Sequence, residues 1–66
     1  VTITLNGRPQ QVASESSVAD LLAGMQIAVK HVAVEVNLEI VPRTRHAEHR
    51  LREGDRVEVV TLVGGG

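Results

Sequence analysis

Few side chains in this 66-residue chain are of a type that does chemistry, and their spacings exclude most of it. His46 and His49 stand at i, i+3, which suits two metal ligands on one helical face, but no third ligand accompanies them. They read instead as solvated or locally hydrogen-bonded imidazoles, like His31. Ser14, Ser16 and Ser17 have no base-and-orienter arrangement to make any of them a nucleophile. Glu53 and Asp55 flank Gly54 and read as turn residues. The glycines at 64–66 precede no helix, so they do not form a phosphate-binding nest. There is no cysteine, hence no thiolate, persulfide, thiolate metal site or disulfide.

By elimination, the unusual chemical group is the α-carboxylate of Gly66 at the end of VTLVGGG. It is ionised near pH 7, given an ordinary pKa of about 3.3–3.7. Such a carboxylate is a modest oxygen nucleophile that can attack the α-phosphorus of ATP when another protein positions the two. Glycines suit that use. They let the backbone pass a narrow channel, and Gly66 places no side chain beside the carbon attacked. Residues 62–66 span at most roughly 16–18 Å when extended. By composition alone, a frayed terminus or a linker remnant fits this tail as well.

The elements that must hold such a tail are readable from period. VTITLN (1–6) alternates as a half-buried strand, and Asn6-Gly7 signals a tight hairpin into PQQVA (9–13). Pro9 restricts that second strand to a start or an edge. Ser17 with Asp20 forms a capping-box pattern. Val18, Leu21, Leu22 and Met25 follow as one apolar stripe, predicting a helix of about nine residues. HVAVEVN (31–37) alternates with Val32, Val34 and Val36 inward, and Asn37 turns the chain into LEIV (38–41). Pro42 opens a short helix over 43–46. Residues 47–52 carry the weakest pattern, an extended piece anchored by Leu51. Glu53-Gly54-Asp55 is a turn, and RVEVVTL (56–62) is the last strand, with Val57 and Val59 on one face.

Size and composition agree with this order. A chain so short buries only about 60% of the surface it exposes when unfolded. Its core must be aliphatic, because there is no Phe, Tyr or Trp, and twelve valines against six leucines favour strands. No apolar run approaches the ~20 residues of a membrane helix, and no signal-peptide pattern opens the chain. The expectation is a soluble, cytoplasmic protein. Net charge is −1. Residues 43–56 hold five arginines against Glu48, Glu53 and Asp55, and the remainder is acidic. Without aromatic side chains to stack bases, nucleic-acid binding is disfavoured. The expected fold is α+β, a mixed sheet of four to five strands with one main helix on one face.

The stretches VTITLNG, SSVADLL, NLEIVPR (37–43), LREGDRVEVV (51–60) and LVGGG together resemble the ThiS-type sulfur carriers of bacterial thiamin biosynthesis, over essentially the whole chain. The resemblance implies a β-grasp, ubiquitin-like roll over 1–61 with a functional tail at 62–66. It implies a protein cosubstrate, not an enzyme. A ThiF-type E1-like adenylyltransferase would activate Gly66 with ATP and magnesium, neither held by this chain. A cysteine-desulfurase relay would supply sulfur to make a thiocarboxylate. A ThiG-type thiazole synthase would receive it. Gly65, Gly64, Val63 and Leu62 would thread into the partner's active site, while Val60, Arg43 and Arg56 are candidates for the partner interface. Alternatives within the same fold are a MoaD-type carrier for molybdopterin synthesis, a type usually longer and richer in aromatics, a modifier joined to lysines by an amide bond, and a β-grasp interaction module with an inert tail.

Overall fold

A computed structural model describes residues 1–27 and 31–61 of the chain. Among them, five strands and one α-helix follow in the order β1 (Thr2–Leu5), β2 (Arg8–Gln11), α1 (Val18–Gly24), β3 (Val32–Val36), β4 (Glu39–Val41) and β5 (Arg56–Thr61), with a short 3-10 helix, Arg43–Arg45, after β4. The strands form one sheet in the order β2-β1-β5-β3-β4. The last strand therefore lies in the middle, parallel to β1 and antiparallel to β3.

Both hairpins use left-handed residues at their tips. Asn6 and Gly7 sit at φ +49 and +84, Asn37 and Leu38 at +52 and +70. Two consecutive positive φ values match the right-handed twist of the flanking strands. Pro9 stands opposite Thr4 on β2, an edge strand, where its missing N–H interrupts no inner ladder. β2 starts one residue before the expected 9–13 segment and ends at Gln11.

The helix is two residues shorter than its sequence pattern, seven in place of nine, and Met25 serves as its C-cap. Its start is fully built. Ser17 Oγ accepts from the Asp20 N–H at 3.1 Å, and Asp20 Oδ2 accepts from the Ser17 N–H at 3.0 Å. These bonds to Ser17, its backbone N–H first and its hydroxyl-capped turn second, hold the Asp20 carboxyl below its ordinary pKa of 3.8; Arg50 adds to the effect.

The remaining free donors of the first turn are met from outside the helix. The Val18 N–H donates to His49 C=O at 2.9 Å and the Ala19 N–H to His46 C=O at 3.0 Å. Arg50 bridges Ser17 in an isolated antiparallel pair, and the Leu51 N–H donates to Ser16 C=O at 2.7 Å. Segment 46–51 is thus a backbone cap for the helix, pinned by the buried Leu51.

Val18, Leu21 and Leu22 close one face of the sheet, against Ile3, Val34, Val36, Val41, Leu51, Val57 and Val59. His46 joins them as a buried residue with 4% exposure. Its Nε2–H donates to Val41 C=O at 3.0 Å, which fixes the tautomer because a carbonyl only accepts. Nδ1 has no partner among the described residues. That bond ties the 3-10 turn back onto the end of β4.

Candidate functional site

Residues 62–66, which include the expected modification site Gly66 and the threading residues Gly65, Gly64, Val63 and Leu62, lie outside the described residues. The structure describes what leads to them, the central strand β5. Val57 and Val59 point to the core, and Arg56, Glu58 and Val60 face outward. Val59 is 8% exposed and Val60 55%.

β5 is tied at both ends by asparagines from the hairpin tips. At its start, Asn37 Oδ1 accepts from the Arg56 N–H at 3.0 Å, and Asn37 Nδ2 donates to Asp55 Oδ1 at 3.1 Å. The Asn37 N–H also donates to Arg56 C=O at 2.7 Å. Two residues before its end, Val59 donates its N–H to Asn6 Oδ1 at 2.8 Å and accepts from Asn6 Nδ2 at 3.3 Å. The turn before the strand is equally fixed. The Gly54 N–H reaches Thr2 C=O at 2.8 Å, Glu53 Oε1 accepts from the Thr2 N–H at 2.9 Å, and Asp55 Oδ2 accepts from the Arg52 N–H at 2.9 Å. Glu53 and Asp55 are turn residues, as their sequence context implied.

Of the expected interface residues, Val60 and Arg56 share the outer face of β5, whereas Arg43 lies on the short helix after β4. The register adds residues that sequence reasoning missed. Ala33 stands opposite Val60, and Glu35 stands between Glu58 and Ile40 on the same outer face. Ile40 is 71% exposed and Leu38, at the hairpin tip, 80%. Within LEIV these two read as ordinary strand residues. The available signal was the strict alternation from Val41, which is buried, back to Ile40.

No enzyme-like constellation forms among the described residues. Ser17 is buried and occupied as a cap, and no group of three or more His, Asp or Glu is placed to hold a metal ion. No helix among them is long and apolar enough to cross a membrane.

The model of the ThiS family matches residues 3–66. The chain is 38% identical over 65 residues to the sulfur carrier protein ThiS of Bacillus subtilis, covering 97% of this chain and 98% of that one. It is 36% identical over 64 residues to a thiazole synthase of Paramagnetospirillum magneticum, again covering 97% of this chain but only 20% of that protein. The chain thus spans about a fifth of the length of such synthases. In structure it is similar to the thiamine biosynthesis protein ThiS of Geobacter metallireducens, with a TM-score of 0.85 and 33% identity over the whole of both chains. That likeness bears out the β-grasp expectation. With a family model that runs from β1 to Gly66 and a carrier fold that matches end to end, the chain belongs to the ThiS family.

Proposed function

We propose that the chain is a sulfur carrier for thiazole formation in thiamin biosynthesis, and that its working group is the carboxylate of Gly66. The observation that carries this reading is the end-to-end similarity to ThiS carriers, continuous through the glycines at 64–66. The similarity of 64 residues of the chain to part of a thiazole synthase supports the synthase as recipient of the sulfur.

The chemistry runs in two steps. A ThiF-type E1-like enzyme holds MgATP, and a Gly66 carboxylate oxygen attacks the α-phosphorus, releasing pyrophosphate and leaving an acyl-adenylate. A persulfide from a cysteine-desulfurase relay then attacks the acyl carbon and displaces AMP. A thiol of the partner system attacks the resulting acyl disulfide, taking the relay's sulfur into a disulfide and releasing the thiocarboxylate. The chain contributes no acid, base or metal ligand to either step. It contributes a carboxyl carbon without a neighbouring side chain, and a folded domain by which partners hold it. Lacking cysteine, it has no competing thiol on which sulfur would be lost.

Intact mass spectrometry tests the reading. The first measurement establishes that Gly66 carries a free carboxylate. After incubation with a ThiF-type enzyme, MgATP and a sulfur source, exchange of oxygen for sulfur adds about 16 Da to an activated acyl group. A chain that stays unmodified beside a carrier that the same enzyme converts would refute the proposal.

A further inference from the structure

β5 has a strand on each side, but not for its whole length. β3 accompanies it from Val57 to Thr61. β1 pairs with it only at Arg56 and Val57, the Asn6 N–H adds a bond to Val57 C=O at 2.9 Å, and the chain then turns away at Asn6-Gly7. In an antiparallel ladder the backbone groups of successive residues point to alternate sides. The Arg56 N–H and C=O bond to Asn37 on the β3 side, so those of Val59 point to the β1 side, past the last β1 backbone.

The Asn6 carboxamide occupies that gap. It accepts from the Val59 N–H and donates to the Val59 C=O, both bonds of a peptide group supplied by a side chain. The turn alone does not demand asparagine. Gly and Asp also tolerate φ +49, but of these three only Asn brings both a donor and an acceptor. Val59 is buried, so its polar groups left unpaired would carry their full desolvation penalty.

We infer that Asn6 is a positioning residue for the reaction at Gly66. By adding the last β1-side rung it holds Val59–Thr61 in line, and this sets the point and direction from which residues 62–66 leave the domain. This role rests on the sulfur-carrier reading. An activating enzyme that grips the domain must bring a carboxylate, at most roughly 16–18 Å of extended chain beyond Thr61, to one phosphorus. Small errors at the origin of that reach reduce the fraction of bound carriers aligned for attack.

The test compares Asn6→Gly, which keeps the turn's backbone freedom and removes both bonds, with a buried-core control, Val18→Ala. In Asn6→Gly, amide exchange at Val59 is expected to accelerate at least about tenfold more than at Glu58 or Val60, which bond on the β3 side. In ATP-dependent activation at saturating carrier, kcat is expected to fall about fivefold or more, with a smaller change in KM. Val18→Ala, assayed where it is fully folded, is expected to keep the wild-type kcat. Wild-type kcat in Asn6→Gly, or an equal loss in Val18→Ala, overturns the positioning role. Should Asn6→Gly not fold, Asn6→Asp keeps the acceptor but sets a charged oxygen in place of the Nδ2 donor against Val59 C=O, and is expected to lose at least about twofold in kcat; a wild-type value there overturns the role as well. A wild-type chain that is never activated overturns the sulfur-carrier reading and the positioning role with it. That failure is distinct from one in which wild type and variant are activated alike.

Discussion

Replacing Leu51 by alanine tests whether segment 46–51 is held by a single side chain. Leu51 is 2% exposed, so nearly all of its transfer free energy is lost when the side chain is shortened. Removing three carbons at about 0.8 kcal/mol each gives about 2.4 kcal/mol. A partly collapsed cavity brings the total to about 3 kcal/mol, inside the range of about 2–5 for buried Leu→Ala changes. The whole domain has about 3–10 kcal/mol to lose, at about 0.05–0.15 per residue. One substitution thus removes a third or more of the stability. With a urea slope of about 1 kcal/mol per molar, the midpoint falls by about 3 M. Far-UV circular dichroism or NMR must follow the transition, since there is no tryptophan or tyrosine to fluoresce. The amides of Val18 and Ala19, which donate to His49 and His46, are expected to lose protection before those of β5 do. A midpoint shift below about 1 M at unchanged slope would sink the claim that Leu51 pins the segment.

Other outcomes follow from single residues. Leu38→Gly is expected to stabilise the domain by about 0.5 kcal/mol: relief of about 1–2 kcal/mol at φ +70 outweighs the added chain entropy of glycine and the small contact loss of an exposed leucine. Thermal unfolding would show it as a rise of a few degrees, and a clear fall would contradict the strain argument. Because Asp20 has a carboxyl pKa lowered from 3.8 in the fold, its contribution is present above the unfolded value and disappears as pH drops through the folded one. The stability gap between wild type and Asp20→Asn should therefore be open at pH 6 and narrow below pH 3.8; a gap independent of pH would remove the carboxylate from the capping box. Deleting Gly66 is expected to abolish activation while leaving the NMR shifts of 1–61 in place, and Gly65→Val to slow activation without unfolding the chain. Loss of fold in either variant would make the tail structural.

How much was legible depended on whether side chains or backbone did the work. β1, β3 and β5 announced themselves by alternation, and α1 by Ser17, Asp20 and the stripe from Val18 to Leu22. Segment 46–51 did not, because its task is to offer the carbonyls of His46 and His49 to the helix start, and a carbonyl leaves no mark in a sequence. His46 was read as solvated or locally bonded; it is locally bonded, to the carbonyl of Val41, and it is buried, which its place in an arginine-rich stretch did not announce. Asn6 and Asn37 were legible as turn residues, but not as ties to β5, since those contacts cross 53 and 19 positions of chain. The terminal glycines stood out by elimination. Val60, a candidate for the partner interface, is exposed; the exposure of Ile40 was open to reading by alternation from Val41, whereas that of Leu38 follows from its place at the hairpin tip.

The position of β5 has a consequence for how the domain is made. The strand at the centre of the sheet is the last of the five described strands to be translated, so neither β1 nor β3 has its inner neighbour until Arg56–Thr61 has been made. At about 5–20 residues per second, the stretch from Val41 to Thr61 takes about 1–4 s, during which the two hairpins are unjoined. It then completes its sheet in one late event. An ordered β5 is therefore the mark of a completed sheet, and whatever depends on that strand being in place depends on the whole domain having folded.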